Sequence, residues 1–219
     1  QKTLPFGTPG QVRAEVLEEL LKGHPEWLDF GKELLPGALK THKIYAHMFK
    51  GFWEDIGTVR SYFEVSMAMT TRTPPFEFHE GTRPIYTHAR MLAGAKLIDT
   101  NVVNCIICPG SNVERAKISS AIIGIRSIVQ PGAQIKDAII LGADYFEDES
   151  PVPMPVPMGI GAHSKIERAI IDHNARIGRN VVIRGAKHLK DMDSENYSIR
   201  DGIVVVHKNA VIADGTKIG

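Results

Sequence analysis

Between residues 107 and 141 an apolar residue returns every five or six positions: Ile107, Val113, Ile118, Ile123, Val129, Ile135 and Leu141. The ladder resumes at Ile160, Ile166, Ile171, Ile177 and Ile183, and again at Ile212 and Ile218. Four residues after many rungs stands a small or β-branched residue: Ser111, Ser127, Ala133, Ser164, Ala175, Val181 and Thr216. Glycine often follows a rung directly, as at Gly124, Gly142, Gly161 and Gly178. Six-residue repeats of this kind are a signature of the parallel β-helix, in which three short strands and three tight turns close a triangular coil of about 18 residues. The large aliphatic fills the centre, the small residue fits the corner, and glycine supplies turn conformations that other residues resist. Ile123 to Leu141 then marks one complete coil. Such hexads usually wind left-handed, against the right-handed rule for crossovers. A β-sandwich would instead alternate polar and apolar residues between turns about 8–12 residues apart, and this stretch does not.

Two segments interrupt the ladder. Asp144 to Pro157 is acidic and then proline-rich, and Gly185 to Gly202 is polar. Both read as loops ejected between coils, which stacked repeats tolerate.

The first third of the chain has a different period. Thr8-Pro9 reads as a helix start, Val12, Val16, Leu17, Leu20 and Leu21 recur at helical spacing, and Gly23 follows as a stop. A second helix is expected from Glu33 towards Lys40, shortened or bent by Pro36. Ile44 to Phe52 is strand-like. Thr58 can cap a third helix reaching Met69, with Val59, Tyr62, Phe63 and Val65 supplying apolar surface. Thr70 to Pro84 is polar and proline-bearing, as a linker would be. The expected organisation is an α/β segment over residues 1–75, a linker over 76–96 and the β-helix over 97–219.

Charge is balanced, with 26 Lys and Arg against 25 Asp and Glu. This gives no global case for nucleic acid or for an anionic membrane surface. No apolar run approaches the roughly 20 residues of a membrane span, and no signal-peptide pattern opens the chain. The two cysteines form no disulfide framework and fit a reducing compartment. The chain opens on Gln1 and stops at Gly219 inside a repeat, as a fragment would.

Several strings occur in a telling order: F-W-E-D-I-G-T from Phe52, P-I-Y-T from Pro84, G-A-D-Y from Gly142, R-A-I-I-D-H-N-A-R-I-G from Arg168 and G-I-V-V-V-H-K from Gly202. Together they resemble the C-terminal half of the glucose-1-phosphate adenylyltransferase (ADP-glucose pyrophosphorylase) family, over about Asp29 to Gly219. The first of these strings is shared widely among sugar nucleotidyltransferases. The strings R-A-I-I-D-H-N-A-R-I-G and G-A-D-Y are much more specific to the adenylyltransferases. The resemblance implies the end of a nucleotidyltransferase domain followed by a left-handed β-helix. The family's Gly-rich triphosphate loop and its Glu-Lys-Pro segment do not occur in this sequence. Catalysis therefore belongs to the intact enzyme, which would make ADP-glucose and pyrophosphate from ATP and glucose 1-phosphate for glycogen or starch synthesis.

The resemblance also assigns roles. Asp55 matches a Mg²⁺ ligand of the catalytic site. Two anionic reactants need a divalent cation to neutralise and align them, and Mg²⁺ takes one or two carboxylates beside phosphate oxygens. Read without the resemblance, Asp55 is a carboxylate near the start of a helix. Glu54 would face the other way in a strand. Asp29, in D-F-G-x-E, matches an element that shapes the sugar pocket; its local alternative is a helix cap. Lys208 matches a lysine that helps bind 3-phosphoglycerate, and Arg90 matches an arginine of the regulatory anion site. His88 stands where the family has Gln, and His173 where it has a second lysine. An imidazole that is neutral at pH 7 holds an anion less firmly than a lysine. These four residues are expected to form an allosteric anion pocket at the domain junction, their alternative being a solvated basic face. The family forms tetramers through its β-helix, so a homo- or heterotetramer in the bacterial cytoplasm or a plastid is expected.

Cys105 and Cys108 form a C-x-x-C, but positions i and i+3 of a strand face opposite sides and no second pair exists for a structural zinc. They read as structural. His163, His173 and His188 occupy different repeat positions or a loop, which argues against a metal site. Two other functions fit parts of the sequence. A non-catalytic regulatory subunit would keep the β-helix, though it would have less reason to keep Asp55. A hexapeptide acyltransferase would leave Phe52 to Thr58 without a role.

Overall fold

The structure, a computed structural model, describes residues 13–45, 48–78, 85–147 and 154–219. The chain divides into two compact units, Gln1–Trp53 and Glu54–Gly219. The helix start expected at Thr8-Pro9, the apolar Val12 and the Pro84 that opens P-I-Y-T lie outside the described residues.

In the first unit, helix α1 runs Ala14–Gly23, with Arg13 at its N-cap making no side-chain bond. Gly23 is its last residue and not its stop; His24 is the C-cap, its N–H donating to Leu20 O. The second helix differs from expectation. It begins with a π-helical turn, Phe30–Leu34, and continues as the short α2, Leu35–Ala38. Pro36 falls in the first turn of α2, where a missing N–H costs nothing. The proline therefore opens the α-helical part instead of truncating it. Leu20, Leu34 and Ala38 form a small core with Val16, Leu17 and Trp27 against it. The strand expected over Ile44 to Phe52 is absent among the described residues of that stretch.

The second unit opens with α3, Val59–Ala68. Thr58 and Ser61 cap it reciprocally: Ser61 N–H donates to Thr58 Oγ1 at 3.1 Å, and Thr58 N–H donates to Ser61 Oγ at 3.3 Å. Fifteen strands follow among the described residues, and thirteen of them wind as a parallel β-helix. One face carries β1 (Lys96–Ile98), β3 (Asn112–Glu114), β5 (Ile128–Val129), β7 (Gly159–Ile160), β9 (Arg176–Ile177) and β14 (Val211–Ile212), hydrogen-bonded in that order. The other two faces are shared by β2 (Asn101–Ile107), β4 (Lys117–Ile123), β6 (Gln134–Ile140) and β8 (Lys165–Ile171), each bent midway. The later coils supply separate strands instead, β10 (Val182–Arg184), β13 (Ile203–Val206) and β15 (Lys217–Ile218).

The bend explains the coil length. Asn104, Ser120, Asp137 and Arg168 sit at the midpoints of β2, β4, β6 and β8 with φ between 46° and 54°. A single left-handed residue makes the corner, so the rungs on either side are five apart and not six. Ile118 pairs with Ile135, and Ile123 with Ile140, each seventeen positions on. The coil is thus one residue shorter than the expected 18, and the rung above Ile123 is Ile140, not Leu141. Ile140 is buried and registers with Ile171, whereas Leu141 is half-buried and packs outside the coil.

The core stacks in columns: Ile118, Ile135, Ile166 and Ile183 along one face; Ile123, Ile140, Ile171 and Val206 along the next; Val113, Val129, Ile160, Ile177 and Ile212 along the third. The small residues behave as expected at the corners. Ser111 and Ser127 are buried, and both hydroxyls donate to Gly124 O, at 2.9 and 2.8 Å. A Cβ on Gly124 would stand 2.1 Å from Leu141 O, so no other residue fits there.

Outside one face lies a second apolar column, Ile122, Ile139, Ile170 and Val205, which α3 covers with Phe63, Val59, Tyr62 and Met67. The guanidinium of Arg168 lies 5.6 Å from the Phe63 ring, and Arg60 pairs with Asp201 at 2.5 Å. The helix that the sequence reading groups with residues 1–75 is therefore seated on the β-helix.

The segment Gly185 to Gly202 is more than an ejected loop. Strands β11 (Met192–Asp193) and β12 (Tyr197–Arg200) pair antiparallel, and β12 pairs antiparallel with β13. Ile199 enters the core, with Leu189 and Tyr197 packed against it. The described part of Asp144 to Pro157 does leave the coil. It is tied back by Arg176, a buried guanidinium that donates to Glu147 and, at 2.8 Å, to Val156 O. Among the described residues no helix is long and apolar enough to cross a membrane.

Candidate functional site

One corner column of the β-helix gathers polar side chains. The backbone links show how: Gly110 N–H donates to Ala93 O, Arg126 to Pro109 O, Ala143 to Ile125 O, Asn174 to Gly142 O and Asn209 to His173 O. Residues far apart in sequence thus sit one coil above another. Beside this column opens a cavity of about 420 Å³ lined by His88, Ala89, Arg90, Ile125, Arg126, Asp144 and His173. All of these belong to the second unit.

Three of the four residues expected in an anion pocket, His88, Arg90 and His173, line this one cavity. The fourth, Lys208, meets it only through Asp144: its Nζ lies 2.8 Å from Asp144 Oδ2. The hydrogen bond from Lys208, and then that from Asn174, hold the Asp144 carboxyl below the ordinary carboxylate range. The same bond from the other side raises Lys208 above the usual lysine value. Both are charged at neutral pH. Asp144 is held further by Asn174, which is buried. Its own N–H donates to Asn174 Oδ1 at 2.8 Å, and Asn174 Nδ2 donates to Asp144 Oδ2 at 3.0 Å and to Asn209 Oδ1 at 3.0 Å. His173 donates its backbone N–H to Asp172 Oδ1 at 2.6 Å, and its Nδ1 lies 3.0 Å from the same oxygen.

Arg126 and Asp144 are the members that sequence reasoning missed. Arg126 donates to Ala143 O at 3.3 Å and lies 5.5 Å over the Phe146 ring. The period finds the first: seventeen positions separate 126 from 143, so Arg126 stands one coil below Ala143 of G-A-D-Y.

The carboxylates expected at the chemistry lie elsewhere and are not brought together with this cavity. Asp55 is exposed, and its Oδ1 accepts the Gly57 N–H at 2.9 Å, just ahead of the Thr58 cap. Asp29 caps the π-helical turn, its Oδ1 accepting the Lys32 N–H at 2.6 Å, while Glu33 Oε2 accepts the Asp29 N–H at 2.9 Å. Glu54 is exposed beside Asp55. Among the described residues no three His, Cys, Asp or Glu side chains gather as a metal group. Asp55 offers one hard oxygen donor of the kind Mg²⁺ takes from a protein when phosphates supply others. Cys105 is half-buried against the core, its Sγ donating to Val103 O at 3.2 Å, and burial raises both thiols, Cys105 and Cys108.

Fold and site together define a class first: a hexad β-helix behind a short helical segment, with a cation-rich cleft along one corner. Residues 90–217 match the family of GLGC left-handed parallel beta-helix domains, and residues 11–72 match the nucleotidyl transferase family. The first match spans more than half the chain, so the chain belongs to the GLGC β-helix family, and the segment before that domain makes it glucose-1-phosphate adenylyltransferase-like. The class of chemistry that goes with this pairing of domains is sugar-nucleotide transfer.

Proposed function

We propose that the chain is part of an enzyme that makes ADP-glucose and pyrophosphate from ATP and glucose 1-phosphate, and that its β-helix cleft binds an anionic effector. The observation that carries this reading is the convergence of His88, Arg90 and His173 on one cavity beside Lys208. His173 and Lys208 are remote in sequence from His88 and Arg90, and the four have no common structural task in the core. Arginine suits the recognition of phosphate, because its planar fork offers paired donors. A phosphorylated acid such as 3-phosphoglycerate carries the charge such a cleft would take.

In the catalytic step Asp55 would hold one position on Mg²⁺, which when bound neutralises phosphate charge and aligns the reactants. The Gly57 N–H fixes one of the Asp55 carboxylate oxygens. Asp29 would help shape the sugar pocket through the turn it caps. A tetramer assembled through the β-helix, in a bacterial cytoplasm or a plastid, completes the proposal.

A second reading has its own observation. Both candidate carboxylates already serve local backbone caps, as they would in a regulatory subunit without catalysis. Pyrophosphate release by the full-length protein separates the two. With glucose 1-phosphate present, release from ATP that falls about a hundredfold or more in Asp55→Asn supports the enzyme. Preference for UTP, GTP or CTP would refute the nucleotide assignment. No release with any nucleotide would leave the regulatory subunit.

A further inference from the structure

We infer that Asp144 is a built-in counter-anion of the corner cleft: its carboxylate neutralises Lys208 and so lowers the cleft's hold on an incoming anion. The inference rests on the reading of the cleft as an anion site. It is carried by an arrangement that reading does not require. The cleft wall combines the guanidinium groups of Arg90 and Arg126 with one carboxylate, Asp144. Lys208 does not line the cavity; its ammonium is turned onto Asp144 at 2.8 Å.

The two partners differ in freedom. Asp144 is fixed twice by Asn174, through its own N–H and through Oδ2. Asn174 is buried and reaches on to Asn209, the residue after Lys208. The carboxylate therefore stays where it is. The lysine has a flexible four-carbon stem, and half of its side chain is exposed. Lys208 is the part that can move, and it moves only for a ligand that attracts it more than Asp144 does.

This damps the cleft's hold on anions. An incoming anion gains the attraction of Lys208 but meets the repulsion of Asp144 as well, and both scale with the charge it brings. A phosphate dianion is therefore held back by Asp144 more than a monoanionic carboxylate such as acetate.

The test is a titration of this 219-residue chain with inorganic phosphate, and separately with acetate, at pH 8 and about 0.15 M salt, followed by calorimetry. Asp144→Asn keeps an oxygen acceptor for Asn174 and deletes the charge; Asp144→Ala deletes both. Far-UV circular dichroism checks that each variant is folded. Both variants should bind phosphate about two- to fivefold tighter, the span an exposed ion pair is worth, and should gain less for acetate, which carries half the charge. Asp137→Asn, at a different corner, should change nothing, since charges beyond about 8 Å are screened at this salt. Arg90→Ala should weaken phosphate binding in every background. If phosphate binds in an Arg90-dependent way but no tighter to either Asp144 variant, the inference is overturned and the cleft stands. If phosphate binds to none of these proteins, the anion reading falls and the inference with it.

Discussion

Phe63→Ala tests whether the β-helix depends on the helix laid against it. Phe63 is 4% exposed and sits among Ile139, Ile170 and Ile203, with Ile122, Leu141 and Val205 around it. Truncating a buried Phe costs about 3–5 kcal/mol, the transfer term plus the cavity left behind. The ring also carries the Arg168 contact, so the upper half of that range is expected. In a domain of this size each kcal/mol lowers the melting temperature by roughly 2–4 °C, which places the shift at roughly 8–20 °C. Calorimetry measures it, and hydrogen exchange locates it: the α3 amides should lose protection first, while the β4, β6 and β8 amides keep theirs. Phe63→Leu should recover most of the loss, since it refills most of the volume. A loss under about 1 kcal/mol, with α3 still protected, would mean that Phe63 does not hold the helix to the sheet and would refute the reasoning.

Ile140→Ala should cost about 2–5 kcal/mol, and Leu141→Ala no more than about half of that, because only the first side chain fills the coil; equal losses in urea titrations would put the register back at Leu141. Burial raises the Cys105 and Cys108 thiols, and the thiolate is the reactive form. At pH 8 both should react with a disulfide reagent several-fold more slowly in the folded chain than in urea, and equal rates would count against their burial. In the full-length protein, Lys208→Glu should raise the effector concentration for half-response about tenfold; an unchanged value removes Lys208 from the effector's reach.

The ladder was readable because rungs such as Val113, Ile118, Ile135 and Ile166 are lone aliphatics among polar residues, and because the corner serines and alanines recur at a fixed offset. Register failed at one rung for a clear reason. Ile139, Ile140 and Leu141 are consecutive apolar residues, and three facings (out, in, out) look alike in composition. The outward column under α3 was invisible for the same cause: A-I-I in 121–123, 138–140 and 169–171 reads as core throughout, although its middle residue faces the helix. The tight corner was hidden because Asn104, Ser120, Asp137 and Arg168 share a left-handed backbone but no residue type. Polarity also misled over Gly185 to Gly202, where a strand pair needs few apolar residues once Ile199 reaches the core. At the cleft, family resemblance supplied His88, Arg90, His173 and Lys208. Asp144 escaped because its partners, Asn174 and Lys208, are chosen by stacking across the interrupted coils, where no fixed spacing points to them.

The interrupted coils have a practical consequence. Thirty-one positions separate Ile140 from Ile171, and thirty-five separate Ile171 from Val206, where seventeen separate Ile123 from Ile140. Yet each pair is in the same lateral register. The scaffold therefore keeps its register whatever length of chain is spliced in at a corner. A foreign peptide grafted at such a corner would leave the stack above and below it in frame, so this architecture can gain new surface while its interior stays the same.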